Sequence, residues 1–262
     1  MKIVDISTQR IAVPLRKPFK TALRTLHTAV SIVVKITDES GRVGWGEAPP
    51  TLAITGEQLE GIEAFINWMK PQLIGMEPQE LERIIALLHC GSVRNSSAKA
   101  ALDMALYDLA TQQCSMPLYR FLGGYRNELQ TDYTVSLNSP KEMGEDAEAY
   151  VKSGFTVLKI KVGIGDITED IERVKEIRNR VGKGIKLRLD ANQGWKAKQA
   201  IQAIRTMEDA GLDLELVEQP VHADDIEGLE RVTRSVDTLI MADESVCSPQ
   251  DAFRILNRRA PI

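Results

Sequence analysis

Beyond about residue 130 the sequence alternates strand-sized apolar runs with amphipathic helical stretches, and no other feature constrains the fold as tightly. The strand-like runs are Thr131–Leu137, Thr156–Val162, Lys186–Asp190, Glu215–Glu218 and Thr238–Asp243, with helical periodicity over 141–153, 168–181, 196–210 and 224–234. A helix between every pair of strands is the crossover that parallel pairing requires. The order therefore predicts a parallel sheet with right-handed βαβ connections.

The first 125 residues have a different texture. Val30, Ile32, Val34 and Ile36 alternate with polar residues, the turn Asp38-Glu39-Ser40-Gly41 follows, and Arg42–Ala48 returns as the second arm of a hairpin. Between the first strand and this hairpin, Lys17–Thr25 reads as a polar loop broken by Pro18, of the kind that often carries function. Helices are expected from about residue 56 to 122. Pro71 is expected to end the first, and Asn95-Ser96-Ser97 offers caps for a later one with an alanine-rich face (Ala98, Ala101, Ala105) that lets a neighbour approach closely. Gly123-Gly124 then marks the break.

Length sharpens this outline. A complete eight-stranded barrel takes about 250 residues, but the 262-residue chain spends nearly half its length before the alternation begins. The expected class is α/β: an α+β capping domain over 1–125, then an incomplete TIM-type (β/α) barrel of about five strands over 126–262. The net charge of −4 gives no reason to expect nucleic acid as a partner. No run approaches the roughly 20 apolar residues of a membrane span, and no secretory signal is evident at the N-terminus. Cys90, Cys114 and Cys247 are odd in number and widely separated, which predicts buried thiols in a reducing cytoplasm. The three histidines are scattered and carry no metal-binding spacing.

Asp190, Glu218 and Asp243 stand at the ends of three consecutive strands, 28 and 25 residues apart. Neighbouring strands would bring all three carboxylates side by side at the C-terminal rim, where barrel active sites are built. Such a trio needs neutralising, and a hard divalent ion, Mg2+ above all, takes oxygen ligands of this kind. For any one of these acids taken alone, capping the following helix is the competing explanation.

One unit earlier, Lys159 and Lys161 share one face of Leu158–Val162. An edge strand facing water would explain them, but the apolar flanks argue against it. A buried lysine beside another, near a cation, is expected to lose its proton more easily and to serve as a general base. A lysine facing a carboxylate-held cation is apparatus for removing a proton α to a carboxylate. Gly163-Ile164-Gly165 follows the same strand but lacks the third glycine of a dinucleotide loop, and no phosphate-binding P-loop motif occurs.

Lys159/Lys161, Asp190/Asn192, Glu218 in Glu-Gln-Pro, and Asp243/Glu244 in Ala-Asp-Glu-Ser closely resemble the motifs of the enolase superfamily, specifically its muconate-lactonising branch. Ala98–Asp108 resembles the helix that precedes the barrel in that family. The resemblance covers the whole chain. It implies Lys161 as the proton-transferring base and Lys159 as its electrostatic helper, with Asp190, Glu218 and Asp243 as Mg2+ ligands and Asn192 and Glu244 in support. Within the branch, Pro18–Thr25 and Asp132–Ser136 look most like the dipeptide epimerases acting on L-Ala-D/L-Glu from cell-wall peptides, through an enediolate. That likeness implies Arg24 and Thr134 as substrate-binding residues, Arg24 by a bidentate contact to a side-chain carboxylate. It implies a dipeptide as the small-molecule partner, leaves a homo-oligomer open, and points to neither nucleic acid nor membrane.

The family places a second lysine at the end of the sixth barrel strand, and that strand would begin about where Arg258–Ile262 falls. The expectation is therefore a C-terminally truncated chain. A muconate-type cycloisomerase, a syn-dehydrating lyase and an inactive remnant remain as alternatives to the epimerase.

Overall fold

The computed structural model describes residues 1–258, so the expected start of a sixth strand at Arg258–Ile262 lies, but for its first residue, outside the described residues. The chain divides into two compact units, Met1–Arg16 with Thr28–Leu129, and Lys17–His27 with Gln130 onward.

In the first unit the sheet is β1 (Ile3–Lys20), β2 (Thr25–Asp38) and β3 (Val43–Ala48), in that order. β2 and β3 pair antiparallel from Ile32↔Ala48 to Thr37↔Val43, as the period-two pattern requires. Ile32, Val34 and Ile36 are fully buried and face α1 (Leu59–Leu73), α2 (Leu81–Gly91) and α3 (Ser96–Gln113) in one core. The alanine face of α3 does bring a neighbour close. A Cβ on Gly46 of β3 would sit 1.8 Å from the Ala101 carbonyl oxygen, so only glycine fits. The short α4 (Leu118–Phe121) follows.

Three expectations for the N-terminal part change. Pro71 lies inside α1 rather than ending it. It forfeits a single bond, to the Asn67 carbonyl, with only two helical residues left to follow. Asn95 is left-handed and makes no side-chain cap. Instead Glu57 reaches across some 40 residues to accept from the Ser97 N–H at 3.0 Å, the Ala98 N–H at 3.4 Å and the Ser96 hydroxyl at 3.1 Å. The presumed loop at Lys17–Thr25 is mostly strand, because β1 is an edge strand and an edge tolerates Pro18.

The hairpin tip between β1 and β2 belongs to the second unit. Lys20 is its anchor. Its N–H donates to Ser136 Oγ at 2.8 Å, its carbonyl accepts from the Leu137 N–H at 3.2 Å, and its Nζ donates to Asn138 Oδ1 at 2.8 Å. The remainder of this unit is a five-stranded parallel sheet in sequential order: β4 (Tyr133–Val135), β5 (Val157–Lys161), β6 (Lys186–Asp190), β7 (Leu214–Glu218) and β8 (Leu239–Met241). The crossovers are α5 (Pro140–Lys152), α6 (Ile167–Val181), α7 (Ala197–Asp209) and α8 (Ile226–Thr233), and α9 (Pro249–Asn257), which the periodicity did not predict, follows β8. The helices lay their apolar stripes (Val174, Ile177, Ile204, Met207) on Leu158, Ile160, Leu187 and Leu189.

The cysteines correct another expectation. All three are free, but exposed rather than buried. No described helix is long and apolar enough to cross a membrane.

Candidate active site

Strand register assembles the site. Lys161 pairs with Asp190, Asp190 with Glu218, and Glu218 with Met241, so the last residues of β5, β6 and β7 form one row across the sheet. Asp243 follows the same row two residues beyond Met241, and is exposed where Asp190 and Glu218 are buried. One row back, Thr134 stands opposite Lys159 and Lys159 opposite Arg188. The helix-cap explanation for the three acids fails. The helix after Asp190, α7, has Lys196 at its N-cap, and those after Glu218 and Asp243, α8 and α9, are capped by the side chains of Asp225 and Ser248.

The Lys161 ammonium is buried, only 6% exposed. It donates to Asp190 Oδ2 at 2.5 Å and to Asn192 Oδ1 at 2.8 Å. The Lys159 ammonium bridges Asp190 Oδ2 at 2.9 Å and Glu218 Oε2 at 2.6 Å. Burial works against the charged form of Lys159, but Glu218 and Asp190 outweigh it and hold this lysine above its ordinary value. Asp190 is opposed by burial too, yet Lys161 and Lys159 keep it below the usual carboxylate range. Burial pushes Glu218 up, with Asp190 and Asp243 adding repulsion.

Polar side chains missed in the sequence shape the rim. Gln219 is fully buried. Its Oε1 accepts from the Asp243 N–H at 2.8 Å and the Ser245 N–H at 3.1 Å, and its Nε2 donates to Ser245 Oγ at 2.7 Å. It thus ties the end of β7 to the segment carrying Asp243 and Glu244, and its only sequence signal is its place in Glu-Gln-Pro. Asn192, Gln193 and Gln219 all have positive φ (39°, 69° and 36°), a strained choice for such residues that clusters where a backbone must aim functional groups. Asn192 connects Lys161 to the rim: its Oδ1 accepts from Lys161 Nζ, and its Nδ2 donates to Glu244 Oε1 at 3.1 Å. Asn192 and Glu244 thus touch one another, and Asn192 also touches Lys161.

The predicted residues do not all meet. Lys159, Lys161, Asp190, Glu218, Asn192 and Glu244 form one connected network, Asp243 joins it through Gln219, and Thr134 adjoins Lys159 by register. Arg24 lies half-buried in the turn of the hairpin tip, where its carbonyl accepts from the Thr21 N–H at 3.0 Å, and no described residue pairs with its guanidinium.

Among the described residues no three His, Cys, Asp or Glu side chains form a ready-made ion cage. Lys159 lies between Asp190 and Glu218. The chemistry of the site nonetheless fits a hard divalent ion. Its donors are all oxygen, its acids crowd one another, and Glu244 Oε2 is buried with no hydrogen-bond partner.

The chain matches two family models: the mandelate racemase / muconate lactonizing enzyme N-terminal domain over residues 3–123, and the enolase C-terminal domain-like family over 142–261. It is 60% identical to the L-Ala-D/L-Glu epimerase of Bacillus subtilis (strain 168), over 99% of its own length and 71% of that protein's. A substrate-liganded complex of the epimerase from Bacillus subtilis has the same fold, with a TM-score of 0.97 over 99% of this chain and 72% of the other. The dipeptide epimerase from Enterococcus faecalis V583, complexed with Mg and the dipeptide L-Leu-L-Tyr, is 44% identical, with a TM-score of 0.96 over 100% of this chain and 73% of the other. The dipeptide epimerase from Cytophaga hutchinsonii, complexed with Mg and D-Ala-L-Val, is 36% identical, with a TM-score of 0.95 over 99% and 70%.

Proposed function

Since the chain belongs to the enolase superfamily, in its mandelate racemase/muconate lactonizing group, we propose that it is a magnesium-dependent dipeptide epimerase acting on a substrate such as L-Ala-D/L-Glu. The observation that carries this reading is Lys161: a buried amine at a strand end, held by Asp190 Oδ2 and Asn192 Oδ1 in the same row as Glu218. As the neutral amine, Lys161 takes the α-proton of the substrate, and the bonding pair stays with the substrate, delocalised onto its carboxylate. Returning a proton to the opposite face inverts the centre, and returning it to the same face exchanges hydrogen without inversion. Asp190, Glu218 and Asp243 would hold the Mg2+, which supplies positive charge to the carboxylate oxygens as they take up that pair. Lys159 keeps Asp190 and Glu218 compensated, and Asn192 and Glu244 orient the row. Arg24 pairs with the glutamyl side chain, and Thr134 lies beside Lys159 on the substrate-facing side.

The test follows the α-hydrogens of L-Ala-L-Glu in deuterated water by proton NMR, with Mg2+ present and with the metal chelated. Deuterium uptake at the glutamyl α-carbon, lost on chelation, is the expected result. No uptake from L-Ala-L-Glu, L-Ala-D-Glu or L-Leu-L-Tyr in saturating Mg2+ refutes the proposal.

A further inference from the structure

The Gly163-Ile164-Gly165 segment lacks the third glycine of a dinucleotide loop, and its contacts show why it is built as it is. A Cβ on Gly163 would lie 2.4 Å from the Ala191 carbonyl oxygen, and one on Gly194 would lie 2.3 Å from the Gly163 carbonyl oxygen. The loops after β5 and β6 therefore touch backbone to backbone. Asp170, in the first turn of α6 and wholly buried, spans both loops. Its Oδ2 accepts from the Gly163 N–H at 3.0 Å and from Trp195 Nε1 at 2.9 Å, and its Oδ1 accepts from Arg173 Nη1 at 2.8 Å. Arg173, also buried, extends the contact to a third loop: its Nε donates to the Asn138 carbonyl at 2.9 Å, while Nη1 reaches the Ile164 carbonyl at 3.3 Å. Asn138 in turn holds Lys20 of the hairpin tip.

We propose that Asp170 and Arg173 are positioning residues: from α6 they bolt together the loops that follow β4, β5 and β6, and so fix Lys161 against Asp190 and Asn192. The lever is short, since Gly163 is two residues from Lys161, and Trp195 is three from Asn192. A buried carboxylate shared by three donors is costly to remove, because Gly163, Trp195 and Arg173 would each lose a partner away from water. The inference rests on the reading of Lys161 as the base, because misplacement of a reacting group by about 1 Å is enough to lower a rate by about 100-fold.

Two variants test it, Asp170→Asn and Trp195→Phe, the second deleting the indole N–H together with its five-membered ring and leaving a six-membered aromatic ring in the core. Two measurements are made on each. The first is kcat and KM for α-proton exchange of L-Ala-L-Glu in Mg2+. The second is the rate at which acetic acid N-hydroxysuccinimide ester acetylates Lys161, read by peptide mass spectrometry against exposed Lys198. The expected result for Asp170→Asn is kcat lower by about 10- to 100-fold with KM within about threefold, and faster acetylation of Lys161 relative to Lys198. Trp195→Phe is expected to move both in the same direction by less. Folded variants with wild-type kcat and wild-type Lys161 labelling overturn the proposal, as does a change confined to KM. If Asp170→Asn does not fold, Trp195→Phe decides by the same criteria. Should the unaltered protein exchange no α-proton, the proposed function fails, and unchanged Lys161 labelling then overturns the clamp independently.

Discussion

Lys161→Met removes the ammonium while keeping most of the side chain's volume, and the geometry predicts that stability and rate will part company. Asp190 loses its 2.5 Å partner but keeps Lys159 at 2.9 Å and the Asn192 N–H at 2.9 Å. Removing one member of a buried ion pair costs about 3–5 kcal/mol when the other charge is left uncompensated. Here a second ammonium already touches the same oxygen, so the expected loss is nearer about 1–2 kcal/mol, that of the hydrogen bonds to Asp190 and Asn192 net of solvation. The rate has no such reserve. A positioned general base contributes about 100- to 10,000-fold, or about 3–5 kcal/mol of barrier. Urea unfolding monitored by circular dichroism measures the first quantity, and deuterium uptake at the substrate α-carbon the second. Exchange within about tenfold of the unaltered protein places the base elsewhere. A variant that does not fold shows instead that the row of charges is structural, and the reasoning about Lys159 as a reserve cation is then wrong.

Two further outcomes follow from single contacts. Glu57 is opposed by burial, but the Ser97 and Ala98 N–H groups more than offset that and hold its carboxyl below the ordinary 4.5. Its folded value is thus the depressed one, so its contribution is complete above about pH 4.5 and disappears as pH falls through the folded value. Glu57→Gln is expected to cost about 1–2 kcal/mol at pH 7 and progressively less in denaturant titrations below pH 4.5, and a deficit that stays constant with pH contradicts the capping role. Arg24→Met is expected to raise KM for L-Ala-L-Glu by about tenfold or more, the worth of a hydrogen-bonded charge, while leaving L-Leu-L-Tyr within about threefold. Equal losses on the two dipeptides remove Arg24 from specificity.

What could be read from the chain separates by the range of the interactions involved. The five barrel strands were legible because each carries its own apolar run and each crossover helix its own stripe, so a window of a dozen residues holds the information. The acids at the strand ends were legible for a related reason: a 25- to 28-residue spacing is one repeat of that local unit, and the register of β5, β6 and β7 converts it directly into a row. The hairpin tip was not legible. Lys17–Thr25 is polar and carries Pro18, and its partners Ser136 and Asn138 lie 116 and 118 residues from Lys20. Glu57 as the cap of α3, Gln219 as the tie between β7 and Asp243, and Asp170 as the bolt between loops were hidden by the same circumstance. Each is a polar residue whose burial is decided wholly by distant donors, and a polar residue in a linear sequence is indistinguishable from one in solvent. The partners of Lys159 were hidden for a complementary reason. Strand spacing puts it beside Lys161 and near the acids, but does not say which carboxylate oxygens lie within 3 Å of its nitrogen, and there are two. Spacing therefore identifies which acids and amines converge. Which of them compensates which is decided by contacts between strands, and that division of charge is what makes Lys161, with Asn192 as its second partner, chemically distinct from Lys159.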